Sequence, residues 1–579
     1  MCAIAGVIGH PHAAEMVAQM TAVQAHRGPD GGAVQTLTAT AALGHRRLAI
    51  LDLSERGSQP MTSRDGRWTL VFNGEVFNYR ELRGQLHGIA WRSDTDTEVL
   101  LEAVACWGLE RALERSVGMF ALGLWDHREQ TLFIARDRVG EKPLVYFWDE
   151  ATLAFASEMK AFAALHGSRL DAAAVDVYLA LGYVPAPLGI FRNTHKLPAG
   201  HYARLKDGTL DVRRWWFPEN ATVKPAPTVA ERNEQLRALI ADAVSLRLRA
   251  DVPIALALSG GVDSSVIAAE LTRQGAAPDA FTVIFDGDES DLPYAQAVAR
   301  RFGLRHEVVR AEGLSLDARL QATAEQYDEP FADSSAVACL TLARSLGGRY
   351  KVILNGDGGD EAFAGYRHYE YIAAKQALKA AAAVAGLRDG HGSSTTYVQS
   401  KTTFRAVERS SLLNGHGASS RSALDQLLTT DPYLRMSRAG ALKNALWSDR
   451  HLHLANGLTY KSDIALAAHG MEGRAPLLDH RILEWAQNLD DRDLVRGREK
   501  KVQLRDAYSA ELPPDVLTRS KHGFGAPIAS WLAGPLQEQV EASLPCPLLD
   551  PESQRGQNGQ RQWTLFTFSQ WAKQWRASW

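Results

Sequence analysis

Cysteine is scarce: 579 residues hold only Cys2, Cys106, Cys339 and Cys546, far apart and without a CxxC pair. This excludes a disulfide framework, leaves a zinc site without ligand spacing, and fits a reducing cytoplasm. Long hydrophobic runs are missing too. The most apolar tract, residues 380–387, is far shorter than the roughly 20 residues a membrane span requires, and the opening MCAIAGVIGH lacks a basic segment followed by an apolar stretch. A soluble, cytoplasmic protein is expected. Neither sign of charge dominates, since 64 Lys and Arg against 67 Asp and Glu leave a formal net charge of −3 with no long like-charge block. Bulk electrostatic binding to nucleic acid or to a membrane surface is therefore not expected; small molecules are the expected partners. There is no internal repeat, and a homodimer is an assembly the sequence allows.

What is present is an ordinary globular composition, 45% hydrophobic and 23% charged. At roughly 150 residues per domain the length implies about two to four domains. The first 200 or so residues read as short strands, at 2–8, 69–72, 119–125, 131–136 and 153–156, with one clear helix at 97–107. An α+β domain over 1–216 follows. Residues 217–228, FPENATVKPAPT, carry three prolines and no apolar periodicity, which marks a linker. Thr228 and Glu231 have capping-box spacing, and Leu236, Leu239, Ile240, Ala243 and Val244 then recur at helical intervals. From there to residue 579, apolar strands at 254–258, 280–285 and 352–354 alternate with helices, which predicts a parallel sheet followed by a mostly helical part. The polar stretches 388–400 and 550–562 read as a loop and a flexible connection before an aromatic tail.

In sheets of this kind ligands sit at the carboxyl ends of the strands. The strand at 254–258 runs into Ser259-Gly260-Gly261-Val262-Asp263-Ser264-Ser265. Glycines admit a polyanion to the backbone, and the amides of a helix start together with hydroxyls donate to it. No lysine follows the glycines, so a Walker loop is excluded, and Asp263 beside the phosphates suits Mg²⁺. The string resembles the pyrophosphate loop of adenylating ATP pyrophosphatases. A second acidic cluster, Asn355-Gly356-Asp357-Gly358-Gly359-Asp360-Glu361, follows the strand at 352–354 and offers Asp360 as the second Mg²⁺ ligand. At the other end of the chain, removal of the initiator Met would make Cys2 the first residue, its thiol and α-amine supplying nucleophile and general base together.

The motifs CAIAGVIG, HRGPDGG, RRLAILD, FNGEVFNY and SDTDTE are similar to the glutaminase domain of N-terminal-nucleophile amidotransferases, and SGGVDSS, GDGGDEAFAGY, EGRAPLLD and KKVQLR to the synthetase domain of glutamine-dependent asparagine synthetases. The resemblance spans nearly the whole chain in the family's order. It implies sandwiched antiparallel sheets in the first domain and an ATP-pyrophosphatase α/β domain in the second. It further implies an oxyanion hole from the Asn73 side chain and the Gly74 amide. Arg47 would hold the glutamine α-carboxylate, and Glu75 and Asp96 the α-ammonium. ATP falls to Leu256, Ser259, Gly261, Val283 and Gly356, together with Gly260 and Ser264 of the loop. Asp263 and Asp360 take Mg²⁺, and Lys501 the charge at the α and β phosphates. The implied reaction is ATP-dependent amidation of aspartate through an acyl-adenylate, releasing AMP, pyrophosphate and glutamate. Two residues depart from the pattern: Asp357 stands where the best-known bacterial enzymes have Glu, orienting or deprotonating ammonia, and Ile464 where many relatives have Arg. The rival readings are a paralogue that amidates a sugar uronate or peptide carboxylate, and a catalytically silent binding protein on the same fold.

Overall fold

The structure is a computed structural model describing residues 1–221, 223–285, 289–311, 315–384, 394–416, 422–431, 434, 440–519 and 525–579. Two six-stranded antiparallel sheets face each other in the N-terminal part. The first runs in the order Thr194–Lys196, Val145–Trp148, Leu153–Ala156, Ala3–Ile8, Ala41–Arg47, Gly31–Thr38. The second runs Thr209–Arg214, His201–Lys206, Thr131–Arg136, Gly118–Asp126, Trp68–Val76, Met61–Thr62. Alternation along the strands sends Ile4, Leu43 and Phe155 of one sheet against Val71, Ala121 and Ile134 of the other, closing a dry layer between them. The register sets Ala3 opposite Arg46, so Cys2 and Arg47 emerge side by side at one end of the sandwich.

Past residues 217–228, whose described residues include the short turn Pro218–Asn220, the helix Val229–Arg247 begins on the expected box: Thr228 Oγ1 accepts from the Glu231 amide and the Glu231 carboxylate from Thr228. A five-stranded sheet, all parallel, follows in the order His306–Arg310, Asp279–Ile284, Ile254–Ala257, Val352–Leu354, Glu472–Arg474. The fold class is thus the expected one, with two outer strands in addition to those read from the sequence.

Two local readings are corrected. Of the loop expected at 388–400, Ser394–Ser400 is helical and 388–393 lie outside the described residues. The connection expected at 550–562 contains the helix Pro551–Gln554 and the start of Gly559–Gln574. Gln554 is buried there because its side-chain amide serves the carbonyls of Cys546 and Leu549 and the Cys546 amide. No helix among the described residues is long and apolar enough to cross a membrane.

Candidate functional site

The structure gathers the sequence-derived residues into two places. At the first, Cys2 ends the strand Ala3–Ile8, its Sγ 3.9 Å from the Leu48 carbonyl that it faces as donor. Burial pushes the Cys2 thiol up and lowers the Met1 α-amine to about 6. Asn73 is fully buried, and neither its Nδ2 nor its Oδ1 has a hydrogen-bond partner. An added Cβ at Gly74 would lie 2.0 Å from the Met119 carbonyl oxygen, so the neighbouring strand approaches too closely for any other residue. Arg47 donates to the carbonyls of Ser54 at 2.5 Å and Asp52 at 2.6 Å, which aims its guanidinium. Gly57 packs between it and Thr95, the N-cap of the helix carrying Asp96.

Glu75 and Asp96 are both buried. Asp96 accepts from the Val76 amide at 2.7 Å, and Glu75 is 2.9 Å from Arg474 of the C-terminal half. Burial and the nearby Asp96 push Glu75 well up, and burial pushes Asp96 up to about 6. Two close carboxylates that resist joint ionisation are relieved by an additional cation.

The second place is a cavity of about 440 Å³ at the carboxyl ends of the parallel strands. Ser259, Gly261, Asp263, Ser264, Val283, Gly356, Asp357, Asp360 and Lys501 line it. Leu256 and Gly260 do not. Leu256 points into the core beneath the sheet, and Gly260, at φ +67°, lets the loop pass the helix Leu292–Phe302, where a Cβ would meet the Ala295 nitrogen at 2.3 Å. The two glycine-rich loops touch: a Cβ on Gly356 would lie 2.8 Å from the Ser264 nitrogen.

Lys501 sits between the paired acids, bonded to Asp263 and 2.6 Å from Asp360. Burial opposes its charge, yet those carboxylates hold the ammonium above its usual value. Asp263 and Asp360 therefore already converge on one cation. Among the described residues no group of three or more His, Cys, Asp or Glu side chains is arranged to hold a metal; a divalent ion here would meet two carboxylates and would complete its shell with phosphate oxygens and water.

Several lining residues have no counterpart in the sequence reading. Lys461 lies 2.7 Å from Ser335 Oγ and 3.1 Å from Asp333, and its ammonium and the Ser335 bonds hold Asp333 down at about 2 despite burial. Ser462 donates to Asp357 at 2.8 Å, and Asn355 at 3.1 Å. The only signals were an ordinary DSS helix start and one lysine in KSD, neither specific. Between the two places lies a cavity of about 20 Å³ lined by Met1, Lys142, Asn355, Asp357, Ser462 and Asp463; Asn355, Asp357 and Ser462 line the large cavity as well.

Residues 1–216 match the glutamine amidotransferase domain family, and residues 235–572 match the asparagine synthase family. The chain is 30% identical to glutamine-hydrolyzing asparagine synthetase 1 of Bacillus subtilis, covering 93% of this chain and 89% of that one. It is 28% identical to asparagine synthetase 3 of the same organism, covering 87% and 83%. An amidase of Gibberella zeae, chry2, is 27% identical, covering 93% and 91%.

Proposed function

Because the chain belongs to the asparagine synthase family and carries a glutamine amidotransferase domain, a ligase of glutamine-dependent amidation, we propose that its acceptor is the side-chain carboxylate of aspartate, activated as an acyl-adenylate. The observation that carries this reading is the position of Asp357, which lines both the phosphate-loop cavity and the small cavity reaching Met1.

On this reading residues 1–216 form the glutaminase and residues 229–579 the synthetase, joined by 217–228. Removal of Met1 frees the Cys2 amine, which takes the thiol proton while the thiolate attacks the glutamine amide. Asn73 Nδ2 and the Gly74 amide receive the charge on the tetrahedral oxygen, and a buried donor without a partner is already in place for it. Arg47 holds the α-carboxylate, and the α-ammonium settles between Glu75 and Asp96.

Ammonia released there enters a cavity wide enough for about one water-sized molecule. Asp357, pushed up by burial, orients it and accepts a proton as it attacks the adenylate; its shorter side chain is set by Ser462 and Asn355. In the large cavity the Ser259–Ser264 turn cradles the phosphates. Asp263 and Asp360 would hold Mg²⁺, which supplies charge neutralisation at the departing pyrophosphate, while Lys501 moves from the carboxylates onto the phosphates. Adenylation replaces an oxide, which does not leave, by AMP, which does.

One observation favours a second reading. Ile464, where many relatives carry Arg, is fully buried against Tyr327, Phe331 and Tyr460, and so offers no charge to an amino-acid acceptor. The test is transfer of carboxylate ¹⁸O to AMP without a nitrogen source, comparing aspartate, glutamate, uronic acids and a carboxylate-bearing peptide. Aspartate alone should label AMP. Labelling by another acid, with none from aspartate, would replace the proposal by the paralogue reading.

A further inference from the structure

A further cavity, of about 300 Å³, opens between the two halves of the chain and shares no lining residue with the phosphate-loop cavity. Its walls are apolar and aromatic, with Pro187 and Trp216 on one side and Trp447, Leu452 and Leu454 on the other. Arg138 lines it from the N-terminal half.

Arg138 is only 6% exposed. Its terminal nitrogens donate to the carbonyls of Ser116 at 2.6 Å and Glu114 at 2.7 Å, and its Cζ sits 4.9 Å from the centre of the Trp215 ring. Its Nε has no hydrogen-bond partner. Burial consequently lowers it to about 10. Glu484, Asp479, Asp137 and Glu114 act on it electrostatically, yet burial outweighs them, and an anion in contact with the guanidinium is what relieves the remaining cost. Arg450 and Asp431 are the other charged side chains of the lining, and burial pushes the His201 imidazole below its usual value.

A path leads from this cavity to the other. The nine-residue π-helix Arg450–Leu458 separates them, with Arg450, Leu452 and Leu454 on the new cavity and His453 and Leu458 on the phosphate-loop cavity. Such long π-helices are rare and cluster at functional places. Arg450 donates to the carbonyls of Glu361 at 2.9 Å and Ala362 at 3.1 Å, within the short helix Gly359–Phe363 that carries Asp360. Arg450 is thus bonded to the same short helix whose Asp360 faces Lys501.

We propose that this cavity is a regulatory site for a small organic anion with a planar apolar body, an aromatic carboxylate or sulfonate, and that its occupancy alters nucleotide affinity through Arg450 and the π-helix. The coupling rests on the nucleotide reading above, whereas the binding site does not.

The full chain is titrated with the fluorescent anion 1-anilinonaphthalene-8-sulfonate, with and without MgATP. Saturable binding at one site is expected, about tenfold tighter than that of the uncharged N-phenyl-1-naphthylamine. Ala199→Phe, which fills the cavity and leaves Arg138 in place, should weaken the probe by about tenfold, and Arg138→Gln should do the same where it folds. By reciprocity, saturating probe should shift the ATP dissociation constant by about fivefold in the parent and not in Ala199→Phe. Absence of saturable binding, equal affinity for the uncharged analogue, or unchanged binding in Ala199→Phe overturns the site. Probe binding that leaves ATP affinity unchanged overturns the coupling and spares both the site and the nucleotide reading.

Discussion

Asn73 shows what a buried polar residue is for. An amide with both ends unpaired costs on the order of 1–3 kcal/mol in the folded chain, and nothing in its surroundings recovers that. An oxyanion does. Asn73→Ala should therefore lower glutamine-dependent turnover by about 10²- to 10³-fold with little change in the KM for glutamine. Synthesis from ammonium salts should persist, and steady-state kinetics with the two nitrogen donors separate the cases. Asp96 makes a pH prediction. With its carboxyl pushed up to about 6, lowering the pH through 6 protonates the group that receives the α-ammonium on the proposed reading, so kcat/KM for glutamine should fall on the acid side and stay level above it. Asp96→Asn should lower kcat/KM throughout and remove that limb; a limb unchanged in the variant assigns it to another group. Asn73 and Asp96 were legible in the sequence because they stand in dense motifs. Lys461, Asp333 and Ser335 were not, since a lysine within one helix and an aspartate just before the start of another become a pair only through tertiary packing.

At the scale of elements, the two glycine-rich loops fit together with no room to spare. A Cβ on Gly359 would lie 2.3 Å from Asp263 Oδ1, forcing that carboxylate away from Lys501. Gly359→Ala should therefore reduce pyrophosphate exchange by about 10²-fold, as expected for a displacement of order 1 Å, while glutamine hydrolysis stays within about twofold. Equal loss of both activities would point to misfolding instead. The strands bearing these loops could be read because they are apolar and buried on both faces. The outer strand Glu472–Arg474 could not, for Glu-Gly-Arg has no hydrophobic pattern and is a strand only through its pairing with Val352–Leu354. His306–Arg310 is nearly as polar at its start. The stretch 550–562 misled for the opposite reason, because a hydrophilic composition hides a buried glutamine whose partners are all main-chain groups.

At the scale of the whole molecule, buried charges tie the two halves together where the two reactions must meet. Arg27 is fully buried; its Nε donates to the Cys2 carbonyl at 3.1 Å, its Nη1 to Glu158 at 2.9 Å, and its Nη2 to Asp463 at 2.7 Å. Asp463 follows Ser462, the donor to Asp357. One guanidinium thus fixes the Cys2 backbone against the segment that, on the proposed reading, positions Asp357 as the base for ammonia. Asp463→Asn keeps the shape and removes the charge. Glu158 still balances Arg27, so the loss in stability should be near 1–3 kcal/mol, measurable as a lowered denaturation midpoint. The larger effect should be on coupling. If Asp463 holds the small cavity closed to solvent, ammonia will escape from the variant, and glutamate formed per pyrophosphate released will rise above the parent's ratio while synthesis from ammonium salts is retained. A destabilised variant whose ratio matches the parent's would confine the ion pair to a structural role and leave the transfer of ammonia to other residues of the cavity wall.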